Sequence, residues 1–326
     1  MDRMWRRKGS YVIIFEHGSS FYYRKTLILK KIFVLTVMFL FACGSAYALH
    51  EWFEGYKLEP YWSKSKTPLI IEYPNGFILD LVENRAVARG EYPITSLTMN
   101  SRINIENNAT SNSIVELKTA VGQIRISTNE RLSNLAANNE SLAKDLFDYI
   151  DKNVSIIHYR IFTMGNKLRA TSAVKYEGRN GLLGVIYPYL AKKETSLTAA
   201  SSDEISNPTK NINVSGNYTG LIVDTKGLKV EPAVDPVIID QQENEILGQA
   251  SEYDIDLLSA GGKVDYADSI NAAKDNGRAG KNPLIIKASG ARRDCDPIVS
   301  DTDAHRIVEE NKKTGFLSKL RIVIII

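Results

Sequence analysis

The run Ile322-Val323-Ile324-Ile325-Ile326 indicates how the last third of this chain folds. It is too apolar for an exposed tail and too short to cross a membrane, so we expect a core strand. Three similar runs precede it, at Leu221-Ile222-Val223, Val237-Ile238-Ile239 and Leu284-Ile285-Ile286. None of the four alternates with polar residues, which is typical of strands buried on both faces of a sheet.

Two segments between and after these runs have helical patterns, Ala267–Lys274 and Thr302–Lys313. Ser300 lies where a helix N-cap is expected, and Gly315 lies just beyond the second segment, where a left-handed residue commonly ends a helix. The alternation of strands and helices predicts an α/β domain over residues 218–326.

The preceding region has a different pattern. Gly76–Gly90 has apolar runs on both sides of Glu83-Asn84, and a second pair of β-branched or alternating runs surrounds Gly165-Asn166, so we predict two hairpins. Gln123–Ser127 predicts a short strand. Apolar spacing predicts three helices: one ending near Gly122, one closing the region, and one amphipathic helix through Leu132, Leu135, Ala136, Leu142, Leu146 and Ile150.

These elements predict an α+β fold class, with helices packed on mostly antiparallel or mixed sheets. Lys192–Asn217 is rich in Ser, Thr, Asn and Lys, and we interpret it as a linker between two α/β-layered domains. The predicted organisation is a leader at 1–48, an aromatic-rich extension at 49–74, an α+β module at 75–192, a linker at 193–217 and a C-terminal α/β domain at 218–326.

The leader resembles an export signal. Lys30 and Lys31 precede the uncharged apolar run Ile32–Ala42, and the small-x-small sequence Ala46-Tyr47-Ala48 follows it, so cleavage is predicted after Ala48. The run is about eleven residues long, whereas a bilayer span needs roughly twenty. We therefore expect a periplasmic or outer-envelope protein. The alternative is a single-pass inner-membrane protein that retains Thr26–Leu49 as its anchor.

The two cysteines leave a second interpretation of the leader open. Leu40-Phe41-Ala42-Cys43-Gly44 resembles a lipoprotein box, in which Cys43 would be acylated and become the mature N-terminus. If cleavage instead follows Ala48, only Cys295 remains, and an intramolecular disulfide is impossible.

The 28 residues before the leader are unusual, because most export signals begin a few residues before their apolar run. They carry Arg3, Arg6, Arg7, Lys8, Arg24 and Lys25. One hypothesis is that translation begins near Leu29, and the other is a long cytoplasmic n-region.

The charge balance disfavours a nucleic-acid partner. The chain has 41 Lys and Arg against 38 Asp and Glu, a net charge of +3. Residues 1–48 hold eight of the basic and two of the acidic residues, which leaves 33 against 36, a net charge of −3, for the remainder. The basic character therefore belongs to the leader, and no basic stripe interleaved with aromatic residues follows it.

One acidic cluster deserves a chemical interpretation: Asp294, Asp296, Asp301, Asp303 and His305. Oxygen-rich spacing of this kind binds Ca²⁺ or Mg²⁺, and the alternative function is a metal-dependent hydrolase that uses this cluster. The EF-hand pattern is absent, however. The favoured interpretation is that Ser300 caps a helix, with Asp301 and Asp303 in its first turn facing the helix dipole.

No catalytic, metal-binding or cofactor-binding residue is predicted, and no cofactor is expected. Cys295 and His305 resemble a nucleophile and a base, but the sequence identifies no third orienting group. The aromatic residues Trp52, Phe53, Tyr56, Tyr61 and Trp62 are expected to pack against the first domain, or else to dock to a membrane or partner.

Several segments of the module resemble a known family: Ile78-Leu79-Asp80, Ala86–Gly90, Val121–Thr128, Val174–Tyr176 and Leu182–Pro188. They are similar to the N-terminal module of bacterial flagellar assembly protein T and of small antigenic envelope lipoproteins. With Thr219–Leu228, Glu231-Pro232-Ala233, Asn282–Ala288 and Ser300–Ala304, the chain resembles uncharacterised exported bacterial proteins that add a C-terminal α/β domain to this module.

The resemblance implies a non-enzymatic role in the cell envelope, in binding or in assembly of flagellar or other surface structures. The implied partner is an envelope or flagellar-type protein. Contact with the membrane is expected through the leader, if the leader is uncleaved or acylated. The resemblance transfers no catalytic residue to this chain.

Overall fold

The computed structural model describes residues 57–58, 67–96, 98–162, 166–193 and 217–326. The leader with Cys43, Ala46 and Ala48, the proposed start near Leu29, the five aromatic residues at positions 52–62 and most of the linker lie outside the described residues. Those expectations stay predictions. Among the described helices, none is long and apolar enough to cross a bilayer.

The chain divides into two compact units. The smaller is Met1–Lys57 with Ile94–Asn104, and its described part includes the first residues of a helix, where the Thr98 hydroxyl accepts a hydrogen bond from the Ser101 amide. The larger is Leu58–Pro93 with Ile105–Ile326.

The first sheet has six strands in the order β1-β7-β8-β4-β3-β2. Strands β2 to β4, β7 and β8 pair antiparallel. Both predicted hairpins are confirmed, and Asn84 and Asn166 have positive φ angles of 52° and 47° in their turns. The strands are β1 (Lys57–Leu58), β2 (Ile70–Glu72), β3 (Ile78–Asp80), β4 (Arg85–Pro93), β7 (Ser155–Phe162) and β8 (Lys167–Lys175).

Four helices accompany this sheet: α1 (Met99–Ala120), α2 (Leu132–Ala137), α3 (Glu140–Asn153) and α4 (Leu182–Lys193). The single amphipathic helix predicted from Leu132 to Ile150 is wrong, because it is two helices. Helix α2 ends with Asn138 as its C-cap, and Asn139 caps α3, its side chain accepting a hydrogen bond from the Leu142 amide at 3.1 Å. Asparagine favours such caps over helix interiors, and this preference breaks the run.

A short antiparallel hairpin lies between α1 and α2, formed by β5 (Arg125–Ser127) and β6 (Glu130–Arg131). It confirms the strand predicted at Gln123–Ser127.

The C-terminal sheet is parallel, with the order β12-β16-β9-β13. Its strands are β9 (Gly220–Asp224), β12 (Asp265–Ala267), β13 (Pro283–Lys287) and β16 (Ile322–Ile325). The core-strand interpretation of the last run is confirmed, because all four residues of β16 are fully buried between β12 and β9.

Helix α7 (Asp301–Thr314) contributes Ile307 to the core on one face of this sheet, and α6 (Ile270–Asp275) contributes Ala273 to the core on the other. The predicted helix over Ala267–Lys274 begins too early, since Ala267 ends β12 and Ser269 caps α6. Gly315 ends α7 in the left-handed conformation, as predicted.

The run Val237–Ile239 does not join the parallel sheet. Its residues 238–239 form β10, in a separate sheet of order β11-β10-β15-β14. In the C-terminal region, the sequence pattern did not predict β12 or four further elements: α5 (Ile255–Gly261), β11 (Glu245–Leu247), β14 (Gly290–Arg292) and β15 (Asp296–Ile298). The α+β fold class is confirmed.

The largest buried core contains residues from both predicted domains, from Leu79 and Leu117 through Tyr187 to Val223 and Ile324. A polar contact crosses the same region: the Tyr187 hydroxyl donates to the Val234 carbonyl at 2.8 Å and accepts from the Lys263 amide at 2.8 Å. The domain boundaries themselves stay a prediction.

Candidate functional site

An open groove of about 470 Å³ lies between α3 and α4. One wall is the polar face of α3, where Asp145, Asp148, Tyr149 and Lys152 follow helical spacing. The other wall belongs to α4, and the groove is lined by Asp145, Asp148, Tyr149, Lys152, Asn153, Gly184, Val185, Pro188 and Tyr189.

The amphipathic pattern of α3 explains why these groups face outward. Leu142, Leu146 and Ile150 form the buried stripe of the helix. Polar side chains on the other side of the helix are therefore left at the surface. Asp145, Asp148 and Lys152 are exposed. The sequence pattern alone thus places the polar face of the groove.

Pro188 gives the α4 wall a distinctive backbone feature. Proline has no N–H, so the carbonyl of Gly184 does not receive the usual helical hydrogen bond from residue 188. Gly184 also lines the groove and adds no side chain to it. Helix α4 therefore lacks one of its internal hydrogen bonds where it borders the groove.

Two tyrosines fix the groove walls. The Tyr189 hydroxyl donates to Asp145 at 2.5 Å, and this hydrogen bond to a carboxylate raises the pKa of Tyr189. The Tyr149 hydroxyl donates to the carbonyls of Lys175 and Asn180 at 3.1 and 3.0 Å. Within the described part of the chain, Asp148 and Lys152 form no hydrogen bond or ion pair, so both charges are available to a ligand.

The arrangement suits recognition of a partner that carries hydrogen-bond donors. The carboxylates of Asp145 and Asp148 are acceptors, and the amide of Asn153 completes a mixed polar lining. The pKa values of both tyrosines are raised, that of Tyr149 by burial and that of Tyr189 by its hydrogen bond to Asp145, so both hydroxyls stay protonated even above the ordinary tyrosine range.

The structure does not bring the predicted acidic cluster together. Asp296 lies in β15 with its side chain buried, and it accepts hydrogen bonds from the Val237 amide at 3.0 Å, from Arg292 at 2.8 Å and from Thr128. This carboxylate is satisfied by the fold itself.

The remaining members of the cluster face other partners. Asp301 accepts hydrogen bonds from Gln241 and Gln242, and Asp303 accepts one from the Ser300 hydroxyl. Asp294 lies in a turn with a φ of 56°, and His305 is exposed on α7. Among the described residues, no group of three or more His, Cys, Asp or Glu side chains is arranged to hold a metal ion.

The capping interpretation of Ser300 is confirmed. Its hydroxyl accepts a hydrogen bond from the Asp303 amide at 3.1 Å, and Asp301 and Asp303 lie in the first turn of α7. These two carboxylates therefore face the positive end of the helix dipole.

Cys295 is a buried thiol. Burial, reinforced by the neighbouring Asp296 carboxylate, raises its pKa to about 12. Because the thiolate is the nucleophilic form, this environment suppresses the reactivity of Cys295.

A second polar cluster was missed by sequence reasoning. Arg125 and Arg131 of the β5–β6 hairpin bind the Glu231 carboxylate at 2.7 and 3.1 Å, and Tyr73 also donates to it. The two arginines outweigh the burial of Glu231 and hold its pKa below the ordinary value. The partners lie 100 or more residues apart, and no local pattern signals such a pairing.

Residues 220–326, about a third of the chain, match the family model described as Treponema pallidum Tp0624, second domain. No curated protein matches the chain. The groove between α3 and α4 lies entirely outside the matched residues.

Proposed function

We propose that this protein is an exported component of a bacterial cell envelope that binds a partner and catalyses no reaction. The observation that carries the proposal is the open groove between α3 and α4, with the exposed charges of Asp148 and Lys152. Such a mixed polar lining recognises a ligand without itself activating a bond.

The polar groups elsewhere support the same conclusion, because they maintain the fold. Asp296 fastens β15 to Val237, and Cys295 is held as a buried thiol. Glu231 joins the β5–β6 hairpin to the segment before β10. The groove, by contrast, displays Asp148 and Lys152 at the surface.

The partner we propose is an envelope or flagellar-type assembly protein. This follows from the resemblance of residues 75–192 to the N-terminal module of flagellar assembly protein T and of envelope lipoproteins. The module contains both helices that form the groove.

Export is proposed from the leader, with cleavage after Ala48. Acylation at Cys43 and retention as a single-pass anchor are the alternatives. N-terminal sequencing and intact mass measurement of the protein from cells separate the three: a mature chain beginning at Leu49 supports cleavage, one beginning at a lipid-modified Cys43 supports the lipoprotein, and an uncut leader supports the anchor.

The groove is tested by charge reversal on α3. We expect Asp148→Lys to reduce capture of the partner from an envelope extract by about tenfold, since a repulsive charge replaces an attractive one at the groove. Asp151→Lys is the matched control, because Asp151 lies on the same helix but pairs with Lys118 outside the groove. Equal capture by the two variants would contradict the proposal.

A further inference from the structure

The parallel sheet of the C-terminal region ends at an edge that is open to solvent. Strand β13 pairs with β9 on one side, and no strand among the described residues pairs with its other side. The residues along this edge that are exposed are Lys281, Asn282, Ile285, Lys287 and Ser289. A second chain can therefore reach the edge directly.

The backbone groups of β13 alternate between its two sides. The Ala288 N–H, directly after the strand, donates to the Asp224 carbonyl of β9 at 2.9 Å. Because the backbone groups of successive residues point to opposite sides of a strand, those of Ile285 and Lys287 point away from β9. Within the part of the chain that the structure describes, no backbone or side-chain group bonds to them on that side. Such a row of unpaired N–H and C=O groups is a template for another strand.

The side chain at the centre of this edge is apolar. Leu284 and Ile286 are buried in the core, whereas Ile285 points to the other face of the sheet and is 36% exposed. Natural edge strands are commonly protected by proline or by charged side chains. Pro283 and Lys287 occupy the two ends of β13, so the protection is absent at its centre.

We propose that two copies of this chain associate through β13, with the two strands antiparallel about a two-fold axis at Ile285. In this register the two Ile285 residues exchange N–H···O=C hydrogen bonds. Each Lys287 N–H also donates to the Pro283 carbonyl of the other copy. Pro283 has no N–H to return, and the Lys287 carbonyl stays in water as it does in the single chain.

The strand is complementary to itself in this register. Ile285 faces Ile285, so each copy covers the exposed apolar side chain of the other. Lys287 faces Pro283 and Lys281 faces Ser289, so no two positive charges lie directly opposite each other. A register centred on Lys287 would oppose two lysines, and one centred on Pro283 would oppose two residues without N–H groups. Ile285 is therefore the favoured centre.

The proposed interface is separate from the groove between α3 and α4 and does not depend on the function proposed for it. The test measures the oligomeric state of the full chain by sedimentation equilibrium. One pair of short strands buries little surface, so we expect a weak dimer with a micromolar or higher dissociation constant.

Ile285→Lys places two positive charges at the axis and should raise the dissociation constant by about tenfold or more. Leu257→Lys is the matched control, since Leu257 is 39% exposed and lies on α5, the helix before the opposite edge strand β12. This variant should dimerise as the wild type does.

Disulfide cross-linking tests the register. In Ile285→Cys the two thiols face each other, with their Cα atoms about 5.5 Å apart, a separation that a disulfide spans. Mild oxidation with copper phenanthroline should therefore link the two copies. In Lys287→Cys the two thiols are four residues apart along the paired strands, about 13 Å, and should not be linked. The wild type, which retains Cys43 and Cys295, gives the background.

Three results would overturn the proposal: a wild type that stays monomeric up to about 1 mM, equal weakening in Ile285→Lys and Leu257→Lys, or cross-linking of Lys287→Cys to the same extent as Ile285→Cys. Circular dichroism shows whether Ile285→Lys is folded. If it is not, the cysteine variants still decide the result, because cysteine introduces no charge at the edge.

Discussion

The two principal sheets of this protein differ in the side chains that line their faces. The six-stranded sheet packs against α1 on one face, and its other face carries both charged side chains, such as Glu91 and Arg169, and buried ones, such as Val87. The four-stranded parallel sheet has cores on both faces, one containing Ile307 of α7 and the other Ala273 of α6. The first sheet therefore holds ion pairs on one face, whereas β16 of the second is buried on both faces.

The difference also explains the two kinds of sequence pattern. Strand β8 alternates charged with buried residues only over Lys167–Ala170, and its residues 170–174 are all buried. A strand that is buried on both faces of its sheet needs a continuous apolar run, such as Ile322–Ile325.

The largest effect should follow removal of the central parallel strand. A chain that ends at Leu320 lacks β16, whose four buried side chains each contribute about 1.5–3 kcal/mol. That loss is comparable to the whole stability of an ordinary domain, so we expect no cooperative unfolding transition by circular dichroism. A cooperative melt of the shortened chain would show that the parallel sheet does not depend on its central strand.

The next largest effect concerns the buried ion pair between Asp235 and Lys263. Lys263 is fully buried, and Asp235 is its ion-pair partner. Asp235→Ala leaves the lysine charge uncompensated and should lower the free energy of unfolding by about 3–5 kcal/mol in urea.

The matched control for the ion pair removes both charges. Asp235→Leu combined with Lys263→Met should recover most of the lost stability, because no unpaired charge remains. If the double variant is as unstable as Asp235→Ala, the cost arises from the hydrogen bond that Asp235 accepts from the Ala250 amide, and not from the charge.

A third substitution separates the two faces of the antiparallel sheet. Gly90 lies under α1, and a Cβ there would overlap the backbone of Asn112 and Ser113. We expect Gly90→Ala to cost about 3 kcal/mol in chemical denaturation. Lys167→Ala, on the face of the sheet opposite α1, should change the free energy of unfolding by less than about 0.5 kcal/mol. Similar effects at the two positions would mean that both faces are packed.

The smallest effect is pH dependent and concerns Glu177, which follows β8. Burial, with repulsion from Asp265, raises its pKa from 4.5 to about 7, although Arg278 and Lys175 act in the opposite direction. The folded state therefore binds this proton more tightly than the unfolded state. The resulting stabilisation is complete below about pH 4.5 and is lost as the pH rises through 7.

Glu177→Gln removes this dependence. The variant should match the wild type near pH 4 and exceed its stability by about 1–3 kcal/mol near pH 8, measured by urea denaturation at both values. A constant difference across this range would show that Glu177 has its ordinary pKa.

Much of the fold could be predicted because its signals are local. The hairpin around Asn84, the strand Ile322–Ile325 and the caps Ser300 and Gly315 each depend on a few adjacent residues. The break at Asn139 was missed because apolar spacing continued across it. Strand β12 was missed since only three residues of it are paired.

The candidate sites were less accessible to sequence reasoning. The polar face of α3 follows from its periodicity, but Tyr189 lies 44 residues from Asp145, to which it donates. In the acidic cluster around Asp296, residues that are close in sequence have different partners. Asp296 in β15 binds the Val237 amide, whereas the Asp303 amide in α7 binds the Ser300 hydroxyl.

By itself, the sequence determined the α+β class, the caps Ser300 and Gly315 and the core strand Ile322–Ile325, because periodicity and capping depend on neighbouring residues. Only the tertiary structure decided which charges meet. Glu91 and Arg169 are 78 residues apart, and the pairing of β4 with β8 places them opposite each other. The same register opposes Arg160 to Arg169, because strand pairing follows the burial of the other face and not the charges on this one.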